Sequence, residues 1–208
     1  MISQSAKFAA GAAVLLSGLA VSACHTKRMV GNEASIEGTR QVCRSCHGSE
    51  GRSNNPTFPN LAGQQEEYLE NQLHAFHDKT RADPHAHTYM WGMAANLDDP
   101  TIVGLAKFFA AQKPAPATEQ DPALVAAGEQ IFRNGIDKEN VPACVACHGE
   151  HGEGAGAIPR LAGQHRVYLA GQLHAFHVNS RTNETMHANV QNITEPQIEA
   201  ISAYFASL

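Results

Sequence analysis

Two short cysteine–histidine runs carry the residue types that could do redox chemistry in this 208-residue chain. They occupy residues 43–47 (Cys-Arg-Ser-Cys-His) and 144–148 (Cys-Val-Ala-Cys-His). The pattern C-x-x-C-H is typical of haem c attachment, in which two thiols bond to the haem vinyl groups and the histidine binds the iron. One such run also fits a zinc or thiol redox motif, but two runs inside a longer repeat favour haem. The predicted thioether residues are Cys43, Cys46, Cys144 and Cys147, and the predicted axial histidines are His47 and His148.

The two runs belong to an internal repeat that covers most of the chain. Residues 59–64 (Pro-Asn-Leu-Ala-Gly-Gln) match residues 159–164 (Pro-Arg-Leu-Ala-Gly-Gln), and Gln-Leu-His-Ala-Phe-His occurs at both 72–77 and 172–177. Self-similarity of this kind indicates two copies of one domain, and the Pro/Ala-rich stretch between them reads as a linker. The predicted units are domain 1 at residues 34–113, a linker at 114–120 and domain 2 at 121–208.

The spacing of apolar residues in both copies predicts helices rather than strands. Asp98 or Asp99 can cap a helix that has Pro100 in its first turn. In the same way, Asp121 opens a helix that Gly135 can end. The predicted fold class is therefore all-α, with two tandem domains of small helices, each wrapped around one covalently bound haem.

A methionine in each copy is placed to fill the sixth position on the iron. Met90 lies seven residues before Leu97, and Met186 lies seven residues before the matching residue, Ile193. This register favours Met90 over Met93, which we expect to pack near the haem edge. Methionine ligation closes the iron and raises its reduction potential. We therefore predict Met90 and Met186 as axial ligands; the alternative is that both are core residues only.

Histidines offer a rival ligand set. His85, His87 and His187 lie close to the predicted methionines, but none has a counterpart in the other copy. We interpret all three as exposed loop residues. Two further histidine pairs are repeated in both copies, and the i,i+3 spacing places both members of a pair on one helix face. Such a pair fits a surface metal site or a pH-sensitive site, but a solvated helix face is the simpler interpretation, and we assign these pairs no function. These pairs are His74 with His77 and His174 with His177.

Residues around the predicted haems have supporting roles. A ligating histidine normally donates its other ring proton to a carbonyl or carboxylate. Pro59 follows His47 by 12 residues and Pro159 follows His148 by 11, so each proline could present such a carbonyl. The arginines after the two middle helices, Arg81 and Arg181, could face haem propionates or end the helices in solvent.

The amino terminus has the pattern of an export signal. Lys7 precedes an apolar run that ends in Val-Ser-Ala-Cys at residues 21–24, which resembles a bacterial lipobox. We predict a signal peptide at residues 1–23, lipidation of Cys24 and a polar tether at 24–33. An ordinary secretory signal is the alternative, but Cys24 is the one cysteine that the haem runs leave unused.

Composition excludes several classes of protein. The chain has 43% hydrophobic and 17% charged residues, which is typical of a globular protein. Its formal net charge of −5 and the absence of a polybasic tract argue against a nucleic-acid partner.

These motifs together resemble the di-haem cytochrome c4 family. The resemblance covers about residues 33–208 and is carried by the two C-x-x-C-H-G runs, the repeats at 59–64 and 159–164, and Met90 and Met186. It implies two class I cytochrome c domains packed across a pseudo-twofold interface. It also implies a periplasmic electron carrier, membrane-associated in many members, that works between a donor such as a quinol-oxidising complex and an acceptor such as a terminal oxidase.

The alternative to a carrier is a haem enzyme of the di-haem peroxidase or thiosulfate dehydrogenase type. Such an enzyme needs an open iron or an unusual ligand such as cysteine. Both copies instead offer a methionine, and Cys24 is the only spare thiol. We therefore predict an electron carrier with redox-protein partners and no small-molecule substrate, not an enzyme. An electron-transfer subunit of a dehydrogenase complex is a further alternative.

Overall fold

The computed structural model describes residues 33–208 as helices joined by loops, with no β-strand in that range. The predicted signal peptide, Cys24 and all but the last residue of the predicted tether lie outside the described residues; that last residue, Glu33, belongs to the first helix. No helix within residues 33–208 is long and apolar enough to cross a bilayer. The α-helices are α1 (Glu33–His47), α2 (Glu66–His77), α3 (Trp91–Ala94), α4 (Asp99–Ala110), α5 (Pro122–Asn134), α6 (Val145–His148), α7 (Arg166–His177), α8 (Glu184–Val190) and α9 (Glu195–Ala206).

Short polar residues define the helix ends, as the sequence predicts. The cap of α4 is Asp98, whose carboxylate accepts a hydrogen bond of 3.0 Å from the Thr101 amide. The Asp121 carboxylate accepts one of 2.7 Å from the Ala123 amide at the start of α5. That helix stops at Gly135, whose φ of 68° lies in the left-handed region that favours glycine.

Each copy of the repeat buries its own apolar core. In copy 1, α2 packs against α4, and in copy 2, α7 and α5 pack against α9. The first cysteine of each haem run, Cys43 or Cys144, packs against the core of its own copy. The larger core residues are Leu69, Phe76, Ile102, Leu105 and Phe109 in copy 1, and Leu169, Phe176, Ile198, Ile201 and Phe205 in copy 2.

The copies differ in how the haem run joins the preceding helix. In copy 1 the run is the last part of α1. In copy 2, α5 ends at Asn134, and a loop with a 3-10 turn at Asp137–Glu139 precedes the separate helix α6. An antiparallel bridge between Ile136 and Val141 closes that loop. The haem-attachment turn of copy 2 is therefore a short helix of its own.

The predicted linker lies against both copies. The carbonyl of Lys113, the residue before the linker, accepts a hydrogen bond of 3.1 Å from Arg52 in copy 1. In copy 2, the amide and hydroxyl of Thr118 donate to the Ala206 carbonyl at 2.8 and 3.1 Å. The chain is thus held at the residue before the linker and at Thr118 within it.

Candidate haem sites

Both histidines of the haem runs are buried and held by a backbone carbonyl. Nδ1 of His47 lies 2.9 Å from the Pro59 carbonyl oxygen, and Nδ1 of His148 lies 3.2 Å from that of Pro159. Burial lowers the pKa of both imidazoles, which the carbonyls only partly counteract, so the neutral form is favoured. A neutral ring that donates from Nδ1 leaves the Nε2 lone pair for a metal, as an axial iron ligand requires.

A glycine follows each histidine because the chain must turn there. Gly48 has φ of 81° and Gly149 has φ of 84°, in the left-handed region. A Cβ at Gly48 would lie 2.0 Å from the Arg52 carbonyl oxygen. Conformation therefore favours glycine at the end of both C-x-x-C-H-G runs, and at Gly48 the lack of space requires it as well.

The four thiols of the haem runs are free of disulfides and differ in exposure within each pair. Cys43 and Cys144 are half-buried, whereas Cys46 and Cys147 are exposed. Burial raises the pKa of the Cys43 and Cys144 thiols to about 11, so they stay neutral. Two free thiols three residues apart, followed by a histidine with a free Nε2, fit covalent haem c. The haem supplies one-electron chemistry at iron.

The methionines of the two copies differ in how far their side chains are buried. Met90 is the last residue of a π-helical turn at Ala86–Met90, and Met186 lies on α8. Met90 packs against the core that contains Cys43, and Met186 against the core that contains Cys144. Met93, by contrast, is 58% exposed. Each copy therefore has one half-buried methionine on the core that also receives the haem cysteine.

The histidine interpretations need correction. His85 and His87 are exposed, and His87 packs edge-on against Trp91 in a helical segment rather than a loop. The assignment of His187 to an exposed loop is wrong: it is half-buried on α8, and its Nδ1 lies 2.8 Å from the Phe176 carbonyl oxygen. This contact ties α8 to α7 and leaves one nitrogen of that ring unavailable to iron.

The repeated histidine pairs have different surroundings in the two copies. His77 is exposed and contacts Asp78, whereas His177 is half-buried and lies 3.0 Å from the Val190 carbonyl oxygen. The solvated interpretation is therefore wrong for His177. In residues 33–208 the structure shows no group of three or more His, Cys, Asp or Glu side chains that could hold a metal ion.

A reciprocal pair of glutamines joins the copies. The Gln164 side chain accepts from the Asn60 amide at 2.8 Å and donates to the Asn60 carbonyl at 2.9 Å. The Gln64 side chain does the same with Arg160, at 2.7 and 2.9 Å. The last residue of the repeated Pro-x-Leu-Ala-Gly-Gln run thus binds the backbone of the same run in the other copy.

Two buried arginines cross the same interface. Arg81 and Arg181 are each 7% exposed, so the interpretation as solvated helix ends is wrong, while contact with haem propionates stays a prediction. Each guanidinium reaches a tyrosine and a glutamine of the other copy. Arg81 donates to Tyr168 (3.3 Å) and Gln172 (2.7 Å), and Arg181 donates to Tyr68 (2.9 Å) and Gln72 (2.8 Å).

The family resemblance predicts an interface between the two domains, but sequence reasoning did not find the residues that form it. The signal was present, since the polar residues involved occur at matching positions in both copies. Repetition of a buried polar residue has two explanations, a shared haem contact or a contact between copies, and spacing alone does not separate them.

Comparisons with known proteins agree with this two-site architecture. Residues 39–112 and 125–208 match the family model described as Cytochrome c. Cytochrome c-552 from Acidithiobacillus ferridurans is 44% identical over 168 residues, which are 80% of this chain and 73% of that protein. Cytochrome c4 from Pseudomonas aeruginosa is 39% identical over 184 residues, which are 86% and 89% of the two chains. The solved structure of Acidithiobacillus ferrooxidans cytochrome c4 has a TM-score of 0.78 and 43% identity, and covers 81% of this chain and 99% of that one.

The fold and sites are those of an electron-transferring c-type cytochrome with two haem domains. More particularly, the chain belongs to the di-haem cytochrome c4 family. The all-α fold and the two covalent haem c groups are confirmed, one haem at Cys43 and Cys46 and the other at Cys144 and Cys147.

One more distant relative bears on the enzyme alternative. The protein named thiosulfate dehydrogenase electron acceptor from Thiomonas intermedia is 33% identical over 172 residues, which are 79% of this chain and 77% of that protein. Its name describes a protein that receives electrons.

Proposed function

We propose that this protein is a periplasmic electron carrier whose two irons are each closed by a histidine and a methionine. The ligands are His47 and Met90 in domain 1 and His148 and Met186 in domain 2. Closed coordination lets each iron gain and lose an electron without binding a substrate, which suits a carrier rather than an enzyme.

The observation that carries this proposal is the duplicated pairing of a buried histidine with a half-buried methionine. Each methionine packs against the core that also receives the haem cysteine of its copy. Each histidine keeps Nε2 free by donating from Nδ1 to a proline carbonyl. No second histidine occurs at matching positions of both copies near the methionines.

The test replaces Met90 and, as a matched control, the exposed Met93 three residues later. The methionine-to-iron charge-transfer band in the near infrared reports ligation in the ferric protein. Met90→Ala should remove about half of the band, since one of two irons is opened, and should lower one midpoint potential. Met93→Ala should leave both unchanged. A full band and unaltered redox titration in Met90→Ala would show that another residue binds the iron.

For the partners, we propose a donor such as a quinol-oxidising complex and an acceptor such as a terminal oxidase. Oxidation of the reduced protein by membranes that contain the oxidase tests this, with inhibited oxidase as the control. A thiosulfate dehydrogenase is the second candidate donor, favoured by the relative whose name describes an acceptor for that enzyme. Haem reduction on addition of that enzyme and thiosulfate, and not of thiosulfate alone, would support it.

Anchoring by lipid at Cys24 is part of the same proposal. It is supported by the lipobox-like sequence before this residue and by the use of the other four cysteines for haem. The variant Cys24→Ser should move the haem protein from the membrane fraction to the soluble periplasmic fraction. Retention of the variant in the membrane fraction would contradict lipidation at this residue.

A further inference from the structure

The buried arginines form a charged cluster that belongs to both haem domains. It consists of Arg81, Arg181, Asp83 and the Tyr and Gln side chains that the guanidinium groups contact. Asp83 is 1% exposed, and its carboxylate pairs with Nε of Arg81 at 2.8 Å. Burial opposes ionisation of Asp83, but Arg81 and Arg181 outweigh it and hold the pKa of this carboxyl below its usual value. The carboxylate is therefore charged at neutral pH.

The charges of the cluster do not balance. Asp83 is the one carboxylate that forms an ion pair with either guanidinium within the described range. Arg181 donates to Gln172, Tyr68 and Gln72, none of which has a carboxylate. The two guanidinium groups and the one carboxylate together carry a net charge of +1.

The repeat itself explains the imbalance. The position in copy 2 that matches Asp83 holds Asn183. Asn183 is exposed and caps α8 by accepting from the Met186 amide at 2.9 Å. A carboxylate in both copies would balance the two arginines, whereas the observed pair of residues leaves one positive charge.

The cluster lies against both haem cores. Arg81 stacks on Phe76 at 4.8 Å from the ring centroid, and Arg181 stacks on Phe176 at 4.5 Å. Phe76 belongs to the core that receives Cys43, and Phe176 to the core that receives Cys144. The Trp91 indole, next to Met90, also donates to the Arg81 carbonyl at 2.8 Å. The buried cluster therefore borders the cores that receive the haem cysteines of both copies.

We propose that Arg81, Arg181 and Asp83 are positioning and tuning residues that raise the reduction potentials of both haems together through the buried positive charge they share. A haem gains one negative charge on reduction, so a fixed positive charge nearby favours the reduced state. Burial strengthens this effect because water screens the charge less. The inference rests on the proposed electron-carrier function and adds the residues that set its driving force.

The test compares midpoint potentials of the full di-haem protein and of five variants in optical redox titrations. Arg181→Gln removes one positive charge and should shift both potentials in the negative direction. Asp83→Asn removes the negative charge, keeps an acceptor for Arg81 and should shift both potentials in the positive direction. The double variant restores the net charge and should return both potentials towards the native values. Arg133→Gln, at an exposed arginine, is the control and should shift neither.

The opposite signs separate charge from structural damage. Loosening the interface admits water, which would move the potentials of both single variants in the same direction. The conservative Arg181→Lys keeps the charge and should keep the potentials even if thermal unfolding occurs at a lower temperature. The predicted directions of the potential shifts hold whichever haem groups lie beside the cluster, because Arg181→Gln and Asp83→Asn each change its charge by one unit.

Potential shifts of the same sign in Arg181→Gln and Asp83→Asn would overturn the proposal. A shift of only one haem potential, or no shift of either, would also overturn it. The near-infrared band of the native protein is recorded in the same samples. If the native protein lacked this band, the methionine ligands of the proposed function would be refuted. The directions of the potential shifts in the variants would still decide the role of the cluster.

Discussion

The glutamine pair between the domains supports a quantitative prediction about stability. Gln164 makes two hydrogen bonds to the Asn60 backbone across the interface, and Asn60 is itself 7% exposed. Truncation in Gln164→Ala leaves the Asn60 amide and carbonyl buried without these partners. An unsatisfied buried group costs about 1–3 kcal/mol, so the loss of partners for two groups should cost roughly 2–6 kcal/mol of interface free energy. Gln64→Ala should cost less, because the equivalent pair that Gln64 makes with Arg160 is only partly buried.

The assay is unfolding of the full di-haem protein, followed both by calorimetry and by haem absorbance in denaturant. A weakened interface should separate one cooperative transition into two, since each domain keeps its own core. Gln191→Ala is the control, because this exposed side chain bonds only to the Ala188 carbonyl within its own helix region. The control should change stability by no more than about 0.5 kcal/mol.

The reasoning would be refuted if Gln164→Ala lost no more stability than Gln191→Ala. It would also be refuted if the variant lost stability but both domains still unfolded together in a single transition. The first result would mean that water replaces the glutamine without cost. The second would mean that the glutamine does not contribute to the coupling of the domains.

Two further predictions concern helix packing and capping. A Cβ at Gly128 would lie 2.1 Å from the Ala200 carbonyl oxygen, so Gly128→Ala should cost about 1–3 kcal/mol or more by thermal unfolding. Gly104→Ala should cost less, because the new Cβ meets the flexible end of Ile36 at 2.4 Å; an equal loss in the two variants would contradict this account. Asp98→Ala removes the cap of α4 and should cost about 1 kcal/mol, measured by denaturant unfolding, and an unchanged midpoint would show that the cap is dispensable.

Local features of this fold could be predicted from the sequence because their causes lie within a few residues. The cap at Asp98 and the end of α5 at Gly135 depend on side chains and backbone angles next to the helix. The haem runs are equally local, since the thiols and the histidine share one turn. The choice of Met90 over Met93 came from register between the copies, and the difference in exposure of the two side chains points the same way.

Features that depend on the contact between copies could not be predicted. Arg181 is a charged residue after a helix, and a single sequence gives no reason to bury it. Its burial becomes possible only because Tyr68 and Gln72 of the other copy supply acceptors. His187 was misassigned for a related reason, because its acceptor is a carbonyl on another helix.

The glutamine contacts also have a consequence for how the two domains find each other. In each contact, a glutamine side chain of one copy binds the backbone of the other copy. The same contact occurs in both directions, as it does in a homodimer with twofold symmetry. Every residue type except proline offers both a backbone amide and a carbonyl, so Asn60 and Arg160 can differ without loss of the contact. Either domain alone would thus present a surface complementary to itself. In this chain the covalent connection keeps that surface occupied by its own second half, which protects it from pairing with a neighbouring molecule.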